Sequence, residues 1–281
     1  MMRSLPERIE IELSNTCNLT CGYCPRRFLP SAGGFIDIDL FKKIIDEMGV
    51  FPDTIVVLHR RGESLLHPRF NELMSYVKGK FNEIQIATNA TCMDKQKAES
   101  LADTVHFVSF SLDTPFRYEK TRGGNYQQVA QNIDYFLKIN RGRVKTQVSM
   151  VKTDDVTDKE IEEFKQVWKA KVDRVRIYSE HSANGKFGSL KSPRGKRQAC
   201  VMPSYELLVY FDGKVGRCNH DWAGAPMGDL NKHSIGDIWH STCYQELRQQ
   251  HESLLITDAT CKECDSWYPV KGNQGTGEVI E

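Results

Sequence analysis

The stretch Cys17-Asn18-Leu19-Thr20-Cys21-Gly22-Tyr23-Cys24-Pro25 carries cysteines at CxxxCxxC spacing directly behind the alternation Ile9-Glu10-Ile11-Glu12-Leu13. Alternation with a period of two predicts a strand, and the glycine and proline predict a tight loop at its end. Three thiolates on one such loop make a nest for a metal cluster. A four-iron cubane held by three protein ligands keeps one iron open, and an open coordination position is where a metal centre does chemistry. Half of a structural zinc site and a set of buried small side chains are the other readings of this spacing.

Outward from the loop, short β-branched runs alternate with helical patterns. The strands are expected at Arg8 to Leu13, Thr54 to His59, Glu83 to Thr88, Val105 to Ser111, Val144 to Met150 and Arg174 to Tyr178. Amphipathic stretches at Leu40 to Met48, Phe70 to Val77, Tyr126 to Leu137 and Asp158 to Trp168 lie between them. Such alternation predicts an α/β fold of parallel strands with crossover helices, either doubly wound or an incomplete barrel. In both, active-site loops gather at the strand C-termini.

A chain of 281 residues has room for one large core with a small appendage. Its 38 basic and 37 acidic residues leave a net charge of +1, which argues against nucleic acid or a membrane surface as a partner and for a small-molecule substrate. Met1 to Arg8 has no apolar signal region, and runs such as Leu207 to Phe211 are too short to span a bilayer, so a cytoplasmic location is expected. In a reducing compartment nine cysteines read as metal ligands rather than disulfides.

The pattern changes at Ser182 to Arg197, where Gly185, Gly188, Pro193 and Gly195 predict a linker or a substrate-facing loop. Beyond it, Asp212-Gly213 between two strand-like runs predicts a hairpin with a two-residue turn, and Ser234 caps a helix expected to reach Gln250. A second cysteine set, Cys200, Cys218, Cys261 and Cys264, comes from separated segments and suits one metal centre, zinc or iron–sulfur. Cys92 and Cys243 read as inert buried thiols, with hydrogen return to a radical as the alternative. Trp168 and Trp239 belong to helical apolar faces, and the histidines show no zinc spacing.

At the first cysteine loop the chain resembles the radical S-adenosylmethionine (SAM) superfamily, whose signature places an aromatic residue, here Tyr23, before the last cysteine. The resemblance implies an incomplete (β/α)6 TIM-like barrel. In it Cys17, Cys21 and Cys24 bind a 4Fe-4S cluster whose open iron is chelated by SAM, and reductive cleavage yields a 5′-deoxyadenosyl radical. Arg61-Gly62-Glu63-Ser64-Leu65-Leu66 resembles the family's Gly-Gly-Glu-Pro-Leu-Leu stretch, which assigns Gly62 and Glu63 to the SAM amino group and turns Arg61 toward substrate. By the same likeness Asn89, Ser111, Asp113, Arg122 and Ser149 contact SAM.

The later cysteines resemble the Twitch form of the SPASM extension, a β-hairpin plus helix. They imply a second, auxiliary 4Fe-4S cluster on Cys200, Cys218, Cys261 and Cys264. The implied organisation is a partial barrel over residues 1–181, a linker over 182–199, a Twitch auxiliary domain over 200–269 and a disordered tail over 270–281. The arrangement is most similar to that of Twitch dehydrogenases acting on 2-deoxy-scyllo-inosamine. It therefore implies oxidation of a hydroxyl carbon in a sugar, aminocyclitol or similar small polar metabolite, with an electron donor such as flavodoxin or ferredoxin. Glu180 and His181, at the end of the sixth strand, are the candidate bases, with a capping or surface role as the alternative. Epimerisation, decarboxylation, peptide modification and a non-enzymatic iron–sulfur carrier or redox sensor are the competing functions.

Overall fold

Alternating residues on five of the first six strands have opposite chemical character, and this split organises the fold. The computed structural model describes residues 5–29, 33–180, 197–222, 224–264, 267 and 277–280. Six parallel strands are present: β1 (Arg8–Ile11), β2 (Ile55–Val57), β3 (Glu83–Thr88), β4 (Phe107–Ser111), β5 (Lys145–Lys152) and β6 (Arg174–Ser179). One parity of side chains, including Ile9, Ile11, Val56, Ile84, Ile86, Val108, Phe110, Val148, Met150, Val175 and Ile177, is buried in the main apolar core.

The other parity is polar and bonded across strands. Arg8 Nε donates to Glu206 Oε2 at 2.7 Å, Gln147 Nε2 to Ser109 Oγ at 2.7 Å, and Arg174 Nε to Gln147 Oε1 at 2.6 Å. A parallel sheet buried on both faces normally reads as continuous apolar runs. Polar residues on the inward face of five of these six strands, β2 (Ile55–Val57) being apolar on both, are therefore a departure from that pattern.

The crossover helices are α1 (Ile38–Met48), α2 (Phe70–Val77), α3 (Lys95–Thr104), α4 (Pro115–Arg122), α5 (Tyr126–Asn140) and α6 (Asp158–Trp168). Asp37 caps α1 by accepting from the amides of Asp39 and Leu40, and α1 then buries Ile38, Leu40, Phe41, Ile44, Ile45 and Met48. Thr157 and Glu160 close a capping box on α6. Two helices, α3 and α4, have no counterpart in the sequence reading. The first buries only Ala98, Leu101, Ala102 and Thr104, and the second only Tyr118 and Arg122, so neither carries a broad apolar stripe.

The C-terminal region joins the same sheet rather than standing apart from it. After the short helix α7 (Met202–Tyr205), β7 (Glu206–Val209) pairs in parallel with β1, β8 (Lys214–Gly216) returns antiparallel to β7, and β9 (Gly228–Asp229) follows. At the other edge β10 (Gly277–Ile280) pairs antiparallel with β6. The ten-stranded order is β10-β6-β5-β4-β3-β2-β1-β7-β8-β9, so β1 and β6 take different partners and the barrel stays open.

Three expectations are corrected. The tail contains β10, so it is not structureless throughout. The hairpin turn spans three residues: Tyr210 N bonds to Lys214 O at 2.8 Å and, of the turn, only Gly213 has positive φ, +83°, which is the bulged type of loop. The helix expected from Ser234 to Gln250 is two helices, α8 (Ile235–Trp239) and α9 (Thr242–Ser253), because Ser241 takes an N-cap conformation between them. The expected linker lies outside the described residues except for 197–199.

Candidate functional site

The first cysteine loop leaves β1 at the strand C-termini and is tied down from α4. Thr20 N and Gly22 N donate to the carbonyls of Arg122 and Thr121, each at 3.0 Å. Cys17, Cys21 and Cys24 are all partly exposed and free, and burial raises each thiol's pKa. They act on one another electrostatically, as neighbours in one nest do. Their chemistry fits a cluster, since soft thiolates on one loop are the donors that iron–sulfur centres take. Asn89 Nδ2 lies 3.7 Å from Cys17 Sγ, and Asn18 links this point to Thr91 and Cys92.

Asp113, at the end of β4, is the hub beside the loop. Its Oδ2 accepts from Tyr23 OH at 3.2 Å, Thr121 Oγ1 at 2.7 Å and Arg122 Nε at 3.0 Å. Its Oδ1 is buried without a partner, and so are Thr114 Oγ1 and Tyr118 OH close by. Orphaned polar atoms of this kind are where a hydroxyl- and ammonium-bearing ligand such as SAM would find partners. Arg122 donates from Nε to Asp113 and from Nη2 to the Leu112 carbonyl at 2.9 Å. Ser111 and Ser149 sit opposite each other in the β4–β5 register, and Ser149 Oγ contacts the Phe110 carbonyl.

Glu63 is held by protein donors in the loop after β2. Oε1 accepts from Thr88 Oγ1 and Leu65 N, and Oε2 from Asn89 N at 2.7 Å, so protein donors occupy three of its roughly four lone-pair positions. The buried carboxylate ties the β2 loop to the β3 loop, and burial pushes its pKa up. Gly62 is required by the chain itself: a Cβ there would lie 2.4 Å from Ser14 O and 2.5 Å from Thr16 O. Arg61 makes a bidentate pair with Glu12 at 2.7 Å and stacks 4.0 Å over Tyr210.

Glu180 follows β6 at the same mouth of the barrel. Burial and Asp154 raise its pKa, while Arg27, from the cysteine loop, opposes them. His181 lies outside the described residues. Cys92 is partly buried next to Asn18, whereas Cys243 is exposed, against the expectation of a buried thiol.

The second cysteine set converges. The thiol of Cys218 is raised well above its usual pKa by burial and then by Cys200, Cys264 and Cys261. Asp258 caps α10 (Ala259–Lys262) by accepting from Cys261 N at 3.0 Å. Arg217 clamps Asp258 at 2.8 Å and Asp221 at 3.1 Å, and so braces the segments that carry Cys218 and Cys261. Cys200 N donates to His251 Nδ1, and burial lowers His251 to a pKa of about 4. Arg197, Arg217, Asp258 and His251 escape sequence reading. Only their closeness to cysteines in the chain, as for Arg217 before Cys218, hints at them.

A wider link joins the two regions. Arg60, next to Glu10 at 3.4 Å in the lumen, donates to the Asp221 carbonyl and stacks 4.7 Å over Trp222. Among the described residues no helix is long and apolar enough to cross a membrane.

Known proteins place this arrangement. The antilisterial bacteriocin subtilosin biosynthesis protein AlbA of Bacillus subtilis (strain 168) is 35% identical over 113 residues, 39% of this chain and 25% of AlbA. The chain therefore matches only about a quarter of that relative's length. The crystal structure of BtrN in complex with AdoMet and 2-DOIA superposes with a TM-score of 0.63 at 18% identity, covering 96% of this chain and 99% of BtrN. Streptococcus suis SuiB bound to precursor peptide SuiA gives 0.72 at 15% identity, covering 95% of this chain and 72% of SuiB. These two likenesses concern the fold. The SPASM family, an iron–sulfur cluster-binding domain, matches residues 200–265. The Radical SAM superfamily matches residues 11–167, more than half of the chain. The chain is a member of the radical SAM superfamily with a C-terminal SPASM region, and its cofactors are SAM and iron–sulfur clusters.

Proposed function

We propose that this enzyme oxidises a hydroxyl carbon of a sugar, aminocyclitol or similar small polar metabolite to a ketone, with Cys17, Cys21 and Cys24 holding the SAM-binding cluster and Cys200, Cys218, Cys261 and Cys264 an auxiliary one. The observation that carries this reading is the parallel pairing of β7 with β1, Arg8 opposite Glu206 through Ile11 opposite Val209. It sets the strand leading to the first cysteine loop directly beside the strand that lies between Cys200 and Cys218, which supports two centres serving one barrel. The chemistry that the bound cofactors supply is a 5′-deoxyadenosyl radical at one end and uptake of one electron at the other.

The chain's own residues do the rest. Tyr23, Asp113 and Arg122 lock the cysteine loop onto β4, and Asp113 Oδ1 offers the free acceptor for SAM. Glu63 holds Asn89 against Cys17. Glu180, kept basic by burial, accepts the hydroxyl proton. The reaction balances: the C–H carbon loses a hydrogen atom to the radical, the hydroxyl loses a proton to Glu180, the remaining electron leaves, and a C=O forms. The polar side chains at the strand C-termini, Ser111, Asp113 and Ser149, suit a hydroxylated substrate better than an apolar one.

Peptide modification is the second reading, favoured by the matches to AlbA and to SuiB with its precursor peptide. Anaerobic reconstitution separates the two. The oxidation reading expects one ketone per SAM cleaved with aminocyclitol or sugar alcohols, without solvent deuterium in the product. Changing Cys17, Cys21 and Cys24 together to Ala is expected to abolish 5′-deoxyadenosine formation. Turnover of peptides alone, or deuterium at an inverted carbon, would overturn the reading.

A further inference from the structure

Two buried N–H donors beside the second cysteine set have no acceptor among the described residues. Cys200 N donates to His251 Nδ1 at 3.3 Å, so the neutral ring carries its proton on Nε2, and that nitrogen is buried and unpartnered. His251 is only 4% exposed. Arg197 donates from Nη1 to the Cys264 carbonyl at 2.9 Å and stacks 4.8 Å over Trp267, while its Nε is likewise buried and unpartnered.

The two side chains are neighbours. Arg197 and Asp258 are the charges that act on the His251 ring, and Asp258 caps the amide of Cys261. The ring is thus bounded by the segments that carry Cys200, Cys261 and Cys264. Burying a donor without an acceptor costs its full desolvation, and folds rarely accept that twice at one place. Acceptors of the right kind come with the loaded centre, as thiolate and sulfide sulfurs. Hydrogen bonds and positive charge directed at those sulfurs favour the more negative, reduced state and raise the reduction potential.

We propose that His251 and Arg197 are positioning residues of the auxiliary centre. They donate N–H bonds to its sulfurs and hold its potential high enough to take the substrate's electron, an inference that rests on the oxidation proposed above. The test uses the full chain with Cys17, Cys21 and Cys24 changed to Ala, so that only the auxiliary centre is loaded. Its midpoint potential is read by EPR-monitored redox titration without SAM or substrate. His251→Leu and Arg197→Leu are each expected to lower the potential while iron content stays unchanged. His251→Gln, which keeps an N–H donor, is expected to restore part of the shift. An unchanged potential in either leucine variant overturns the proposal. So does loss of iron in both, because the residues would then hold the ligand segments rather than tune the centre. Since no turnover is involved, the expected shifts in a protein that oxidises no alcohol would sustain this assignment while refuting the proposed reaction.

Discussion

His59 faces the lumen after β2, where its Nδ1 accepts the Ala87 amide at 2.9 Å. Enclosure by the surrounding strands, with Arg8 and Arg60 pushing the same way, lowers its pKa to about 3. An unfolded histidine titrates near about 6.5. Between those values the unfolded chain binds more protons than the fold, so this residue's contribution to stability falls as pH drops below about 6.5 and goes on falling toward 3. Glu10 works against it: burial and the Glu206 carboxylate push its pKa up to about 7, so the fold takes up that proton before the unfolded chain does. The two contributions separate by mutation. In His59→Gln, whose amide oxygen can still accept from Ala87, the acid-sensitive part disappears. The gap in urea midpoint between wild type and variant, measured on the apoprotein at pH 7.5 and at pH 5, is therefore expected to narrow at the lower pH. An equal gap at both would sink the assignment.

At the scale of elements, the loops after β1 and β2 pack without room for a side chain at Gly62, and Glu63 N bonds to Thr16 O at 2.8 Å across the same contact. Gly62→Ala must push backbone against backbone, which costs about 1–3 kcal/mol by overpacking and shifts Glu63, and Asn89 with it. A lowered urea midpoint is expected together with less iron bound at the first centre; full iron at unchanged stability would contradict it. Gly62 and Glu63 stand out from the chain alone, but their packing against the β1 and β3 loops does not, because a motif shows which residues matter and not which parts of the chain they touch. The six strands were legible since each buries one apolar parity, and α2 and α6 since their stripes are wide. Helix α4 was not, as it buries only Tyr118 and Arg122. The cysteines were legible by spacing. Arg197 and His251 were not, because their significance lies in atoms left unpaired, which only packing reveals.

Over the whole molecule, the pairing of β7 with β1 makes the SPASM region part of the barrel's sheet. Polar ties reinforce it: the buried Arg8–Glu206 pair, Glu12 accepting from Phe211 N at 3.2 Å, and Lys43 Nζ donating to the Leu230 carbonyl. Two cluster-binding regions joined in this way are expected to open as one cooperative unit rather than as beads on a linker. Native-state hydrogen exchange reads this directly. The amides of β1 and β7 should share one opening free energy and one denaturant dependence. Glu206→Ala sharpens the test, because it leaves Arg8 charged in a buried site, a loss of about 3–5 kcal/mol. Residual contact with Glu10, 3.8 Å from Arg8, would soften that loss. If the regions are coupled, the variant lowers protection in β1 through β3 as much as in β7. If β7 alone loses protection while the barrel strands keep theirs, the SPASM region opens independently, and the shared sheet does not hold the two cysteine sets in fixed relation.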